Sequence, residues 1–189
     1  MKPISKDIHV SRLRSNAQLA VFVSMAFVSV GPVLAAGVIS AGGAEVYNRG
    51  NVEVVNIVAP NQHGLSHNQY QQYNVNQPGV VLNNSVNGGQ SVLAGQLAAN
   101  GKLGGNAARL ILNEVVGANP SLLLGKQEVF GMLADYVLAN PNGITSKDSG
   151  FINTGRASLV VGSPVLQDGR LDSVMLGNGA GRNLSLIHI

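Results

Sequence analysis

The stretch Tyr136-Val137-Leu138-Ala139-Asn140-Pro141-Asn142-Gly143-Ile144 decides how the chain is read. Its first four residues suit a pleated, half-buried surface. Then the composition changes abruptly. Pro141 has no amide hydrogen for a sheet ladder, and it pushes Asn140 toward an extended conformation. Asn142-Gly143 is a pair that readily takes positive φ. The stretch therefore predicts a strand ended by a tight turn that sends the chain into another strand.

The same pattern recurs outward from it. Val52 to Val58 reads as a strand stopped by Pro60, and Val80 to Leu82 as a short strand after the turn Asn76-Gln77-Pro78-Gly79. Arg109 to Val116 is closed by Gly117-Ala118-Asn119-Pro120. Gln127 to Phe130, Phe151 to Thr154, Ala157 to Val161 and Leu171 to Leu176 follow. Asn61 to Asn68 reads as a polar loop, and Ser91 to Ala99 as a short helix or a loose strand weakened by Gly95. Short apolar runs separated by Gly, Asn and Pro predict an all-β protein.

A sandwich or barrel and a parallel β-helix both meet that description. Three features favour the helix. Strands starting near 109, 134 and 157 give a repeat of roughly 20–25 residues, within the solenoid range. Aromatic residues are only 4% of the chain, and Val, Ile, Leu and Ala fill the strands, as a narrow stacked core requires. Asn recurs at strand ends, where amides can ladder between coils. At about 4.8 Å per coil the chain after the leader would form about six coils, roughly 30 Å long.

Charge and targeting narrow the class further. The net charge of +3 comes with Lys2, Lys6, Arg12 and Arg14 in the first fourteen residues. Beyond Ala36, eight basic residues face eight acidic ones, scattered along the chain. There is no footprint for a phosphate backbone, and no nucleic-acid partner is expected. The basic start, the apolar run Ala17 to Val30 and the small residues of Gly31-Pro32-Val33-Leu34-Ala35-Ala36 read as a signal peptide over 1–36. Cleavage after Ala35 puts Val33 and Ala35 at the recognition positions, and cleavage after Ala36 is the alternative. The Sec machinery and signal peptidase are thus expected partners. With no cysteine the exported chain has no disulfides. Residues 37–50, rich in Gly and Ala, read as a flexible lead-in.

Catalytic and metal chemistry find little support. His63 and His67 are four apart but flank Gly64-Leu65-Ser66 in a loop, without a nearby third ligand. Asp168 and Asp172 flank Gly169-Arg170, yet the nine-residue calcium repeat is absent. Nothing matches a nucleophile elbow, and Gly104-Gly105 lacks the phosphate-loop lysine pattern. Tyr70, Tyr73, Tyr136 and Phe151 read as cap and core residues. No cofactor or metal is expected, and the chain reads as a non-enzyme.

Several blocks in order carry a family resemblance. They are Asn56-Ile57-Val58, Gly64-Leu65-Ser66-His67-Asn68, Tyr73-Asn74-Val75 and Gly79-Val80-Val81-Leu82-Asn83-Asn84. Ile111-Leu112-Asn113-Glu114-Val115, Asn119-Pro120-Ser121, Glu128-Val129, Ala139 to Ile144 and Gly150-Phe151-Ile152-Asn153-Thr154 follow. The chain resembles the secretion domain of two-partner secretion exoproteins, the filamentous haemagglutinin family of adhesins, haemolysins and contact-dependent inhibition toxins.

The resemblance implies a right-handed parallel β-helix with an N-terminal capping region over residues 51–183. It implies a secretion signal recognised in the periplasm by the POTRA domains of a dedicated outer-membrane transporter of a Gram-negative cell, the chain ending secreted or on the cell surface. Asn140, Pro141, Asn142, Gly143 and Ile144 match the family's secretion motif. Asn100, Gly101, Lys102 and Leu103 stand where the family has Asn-Pro-Asn-Leu, so contacts at 101 and 102 are expected to differ. Ser146 and Ser149 stand where many relatives carry a cysteine pair. Such domains normally continue for further coils, so the chain reads as truncated, with Leu184 to Ile189 a foreign or misread tail. Two other readings remain: a free-standing β-helix adhesin binding host glycans, and a β-helix enzyme acting on polysaccharide. The latter needs clustered carboxylates, whereas here they are dispersed.

Overall fold

The computed structural model describes residues 36–176 and 187–188. In chain order the strands are β1 (Val38–Gly42), β2 (Glu45–Arg49), β3 (Val52–Asn56), β4 (Leu65–Tyr73), β5 (Val80–Asn84), β6 (Gly89–Ser91) and β7 (Gly95–Leu97). After a single 3-10 turn over Gly101–Leu103 come β8 (Leu110–Val115), β9 (Ser121–Leu123), β10 (Lys126–Gly131), β11 (Ala134–Ala139) and β12 (Ile144–Ser146). The chain continues through β13 (Gly150–Ile152), β14 (Thr154–Val160), β15 (Gly162–Gln167), β16 (Arg170–Leu176) and β17 (Ile187–His188).

Parallel pairing winds these strands into a β-helix. One sheet runs β1-β4-β8-β11-β14-β17 and a second runs β13-β10-β5-β3-β2, with β9 and β12 forming a third face. Within the first sheet β4, β8, β11 and β14 are mutually parallel, so Asn68, Asn113, Leu138 and Leu159 share one rung. Among the described residues four coils are therefore present, fewer than the six expected from length. The difference lies in chain that leaves the stack. Between β5 and β8 the chain leaves the stack as the β6–β7 hairpin, and β15–β16 forms another antiparallel hairpin.

Residues 37–50 differ from the expected flexible lead-in. They form β1 and β2, which pair antiparallel with β4 and β3 and cap the first coil. Their Gly and Ala content hid an edge-strand role, since each strand has a partner on one side only. The polar loop expected over Asn61 to Asn68 gives way from Leu65 onward to β4. Its inward residues Ser66 and Asn68 are buried because they serve the preceding corner: Ser66 Oγ donates to the Val58 carbonyl at 2.7 Å, and Asn68 Oδ1 accepts the Val58 amide at 2.9 Å. The 91–99 segment takes the strand alternative, as β6–β7.

The interior is aliphatic with a tyrosine cluster. Leu82, Ile111, Leu123 and Leu138 are fully buried, each worth about 1.5–3 kcal/mol by transfer. Tyr70 and Tyr73 stack edge to face at 5.0 Å, and Tyr136 lies 5.1 Å from Phe151. Burial raises the pKa of all three tyrosines, so their hydroxyls stay protonated donors. Tyr70 donates to Asn113 Oδ1, while Tyr73 and Tyr136 both donate to Gln127 Oε1. These are core roles, as the sequence predicts for these residues.

Candidate functional site: two asparagine turns

The turn after β11 is built around one buried amide. Asn140 has no solvent exposure. Its Nδ2 donates to the Asn119 carbonyl at 3.1 Å and to Ser121 Oγ at 2.9 Å, both in the preceding coil. Its Oδ1 accepts the Asn142 amide at 2.9 Å, closing an Asx turn. Its own amide donates to the Val160 carbonyl in the following coil at 3.0 Å. One side chain and one peptide unit thus tie three successive coils.

The other motif residues complete the turn. Gly143 donates back to the Asn140 carbonyl at 3.3 Å, with φ of +110° that a side chain rarely tolerates. The Gly143 carbonyl accepts from Ser121, which starts the β9–β12 pairing, and Ile144 packs against the main core. Asn142 is exposed, but its Nδ2 reaches the Gly117 carbonyl at 2.8 Å. Gly117 must lack a side chain, because a Cβ there would lie 2.0 Å from the Gln71 carbonyl oxygen. Pro141 is half-buried and fixes the first bend of the turn.

The second turn repeats the device. Asn100 is 2% exposed, and its Nδ2 donates to the Ile57 and Asn83 carbonyls at 2.9 and 2.8 Å. Its Oδ1 accepts the Lys102 amide at 3.0 Å, and the Asn100 carbonyl accepts from Leu103. Leu103 is buried in the main core. Gly101 and Lys102 are exposed, so this turn uses only the Lys102 backbone. Lys102→Ala is therefore expected to change stability by no more than about 0.5 kcal/mol in a thermal or urea melt.

Asparagine stitching extends beyond the two turns. Asn83 Nδ2 donates to Asn56 Oδ1 at 2.9 Å, a direct amide ladder between coils. Most other amides address backbone instead. Asn84 Nδ2 reaches the Ala108 and Met132 carbonyls, and Asn153, at φ of +55°, reaches those of Val129 and Gly131. The sequence pointed to ladders, whereas bends at the coil corners leave carbonyls that only a side-chain amide can satisfy.

Glu128 is the residue that sequence reading left without a role. It is 3% exposed on the outer face of β10. Its carboxylate accepts Ser91 Oγ at 2.7 Å and the Val92 and Leu93 amides at 2.8 and 2.9 Å. These bonds hold the β6–β7 hairpin over Val52, Val54, Val81 and Phe130, which pack with Leu97.

The remaining sequence candidates are dispersed. His67 Nε2 lies 2.7 Å from Glu114 Oε2, which also accepts from Gln69. His63 sits in the loop before β4, where its carbonyl accepts from Arg109. Asp168, at φ of +50°, turns the β15–β16 hairpin and lines an open cleft with His63 and Asp172. Among the described residues no three ligating side chains converge. Ser146 Oγ and Ser149 Oγ are 2.6 Å apart. The paired substitution Ser146→Cys and Ser149→Cys is therefore expected to oxidise spontaneously, adding no more than about 2 kcal/mol for so short a loop. Thiol alkylation and mass measurement check it. Of the leader cleavage residues, Ala36 opens the described chain, and Ala35 with the rest of residues 1–35 lies outside it. The expected tail, 184–189, also lies outside except for Ile187 and His188.

Fold and turns together define a class: a capped parallel β-helix whose ordered motifs form turns between coils. The model of the TPS secretion domain, the secretion domain of two-partner secretion, matches residues 37–186, and the chain belongs to that family. The match takes in the capping strands that the 51–183 boundary left out. The chain is 54% identical over 164 residues to a hemolysin of Serratia marcescens, covering 85% of this chain and 10% of that protein. It is 46% identical over 153 residues to a tRNA nuclease CdiA of Yersinia mollaretii, covering 79% and 5%. The crystal structure of the filamentous hemagglutinin secretion domain superimposes with a TM-score of 0.69 at 43% identity, covering 72% of this chain and 47% of that one. The chain thus spans a tenth or less of these curated relatives. The family is one of secretion domains, not of enzymes, and its exoproteins leave Gram-negative cells across the outer membrane.

Proposed function

We propose that this chain is the secretion-targeting domain of a large exported adhesin or toxin and is itself non-enzymatic. A leader within residues 1–36 directs it through the Sec machinery, and signal peptidase removes that leader. In the periplasm it is recognised by the POTRA domains of a partner outer-membrane transporter. It crosses unfolded and winds into its β-helix outside the cell.

One observation carries this reading: Asn140 is wholly buried and its amide bonds only to neighbouring parts of the helix. A residue so placed acts by fixing the turn, so Asn140 to Ile144 and Asn100 to Leu103 serve secretion through folding. Apolar burial outside, at about 25 cal/mol per Å², supplies a direction to transport where no nucleotide is present. Parallel pairing between coils is non-local and slow to form, which keeps the chain threadable meanwhile.

A locked coil tests the threading step. Leu122 and Thr145 are registered partners on the third face. Cysteines at both, oxidised in the periplasm, would close a loop too wide to thread. Expected is periplasmic accumulation that a reductant relieves. Secretion equal to the unsubstituted chain under oxidising conditions would sink the threading account. Deleting the partner barrel tests recognition itself: surface delivery is expected to fall to background while periplasmic export persists.

A further inference from the structure

The cap begins at a clasp. The Ala36 carbonyl accepts from Asn74 Nδ2 at 2.9 Å and from Gln72 Nε2. The Gly37 carbonyl accepts the Asn74 amide at 3.2 Å. The Val38 amide is shared by both carboxylate oxygens of Glu53, 3.2 Å from each. Gly37 lies flat against that carboxylate, for a Cβ there would be 2.1 Å from both oxygens. Burial raises the Glu53 carboxyl pKa, and the Val38 hydrogen bond opposes the rise. Among the described residues the ion pairs are His67 with Glu114 and Arg156 with Asp135, so this carboxylate has no cation.

We propose that the leader is cut between Ala35 and Ala36, and that the α-ammonium so released supplies the positive charge Glu53 lacks, locking the cap in the processed chain. The inference rests on reading residues 1–36 as a leader. Cutting one residue later would remove the carbonyl that Asn74 and Gln72 hold, so the clasp favours the bond after Ala35 over the alternative after Ala36. The new ammonium belongs to the residue before Gly37. Consecutive Cα atoms are about 3.8 Å apart and Gly37 lies against the carboxylate, so the nitrogen one residue earlier would be within reach of it by rotation about the Ala36 backbone. Before cleavage the same nitrogen is an uncharged amide with nothing to offer an ion pair. Leader removal and closure of the cap are thereby coupled.

The test uses the full chain, expressed with its leader and recovered from the periplasm. Its intact mass is expected to begin at Ala36; any other first residue, or an unprocessed chain, overturns the proposal. The native chain is then reductively methylated at neutral pH and its N-terminal peptide quantified. An ion pair raises the pKa of the α-amine, and each unit lowers the reactive unprotonated fraction about tenfold. Wild type is expected to label about tenfold more slowly than Glu53→Gln, whose amide oxygen still accepts the Val38 amide. Inserting Ser-Gly between Ala35 and Ala36 moves the ammonium away with Glu53 intact, and should label at the faster rate. Equal rates for wild type and the insertion variant overturn the pairing. Both readouts come from periplasmic chain, so they are independent of passage through the outer membrane, which tests the secretion reading.

Discussion

Asn140→Ile is expected to remove about 3–5 kcal/mol of folding free energy and to abolish most surface delivery, while export to the periplasm continues. The estimate follows from what is left behind. Isoleucine makes no hydrogen bonds and is bulkier than asparagine, so at this fully buried position overpacking adds to the loss. The Asn119 carbonyl, Ser121 Oγ and the Asn142 amide all lose their partner. A buried polar group left unpaired costs about 1–3 kcal/mol. A β-branched residue before Pro141 suits an extended backbone, so the backbone itself is not the cause. The damage is loss of the side-chain tie to the preceding coil and of the Asx turn, while the backbone bond from residue 140 to Val160 remains. Cell fractionation and a denaturant melt of the secreted domain check the two halves. Undiminished secretion would remove Asn140 from the secretion motif even if stability fell.

Glu128→Ala is expected to cost a similar amount, about 3–5 kcal/mol, and to free the β6–β7 hairpin without dismantling the coils. Hydrogen bonds to a charged acceptor are worth about 1.5–3 kcal/mol each, and Ser91, Val92 and Leu93 all donate here. Once unclipped, Leu97 lifts from Val81 and Phe130, exposing an apolar sheet face. Limited proteolysis is expected to cut between Gly88 and Asn100 far faster than in wild type. Glu128→Gln retains one acceptor oxygen and should fall between the two. If the hairpin remained as protease-resistant as wild type in both variants, packing rather than the carboxylate would hold it.

These two residues show how much of the site was legible in sequence. Asn140 was visible because Pro and Gly flank it, and those residues have local conformational meaning. The turn it predicts, a strand ended and redirected, is the turn observed. Glu128 was visible only as part of a block resembling the family. Its three donors lie some 35 residues away along the chain, and no local pattern signals that contact. The cap was misread for a related reason. The short strands β1 and β2 lie in a Gly- and Ala-rich segment with weak intrinsic preference, and they form because β3 and β4 offer a free edge.

The sequence by itself determined the all-β class, the positions of most strands in the core and the turn at Asn140. Each follows from local chemistry: apolar runs of strand length and residues that break ladders. The tertiary structure alone decided how many coils form, which segments leave the stack, and where the buried amides and Glu128 find partners. Those outcomes depend on pairing between residues tens of positions apart. Their free energy exists only once the neighbouring coil is in place.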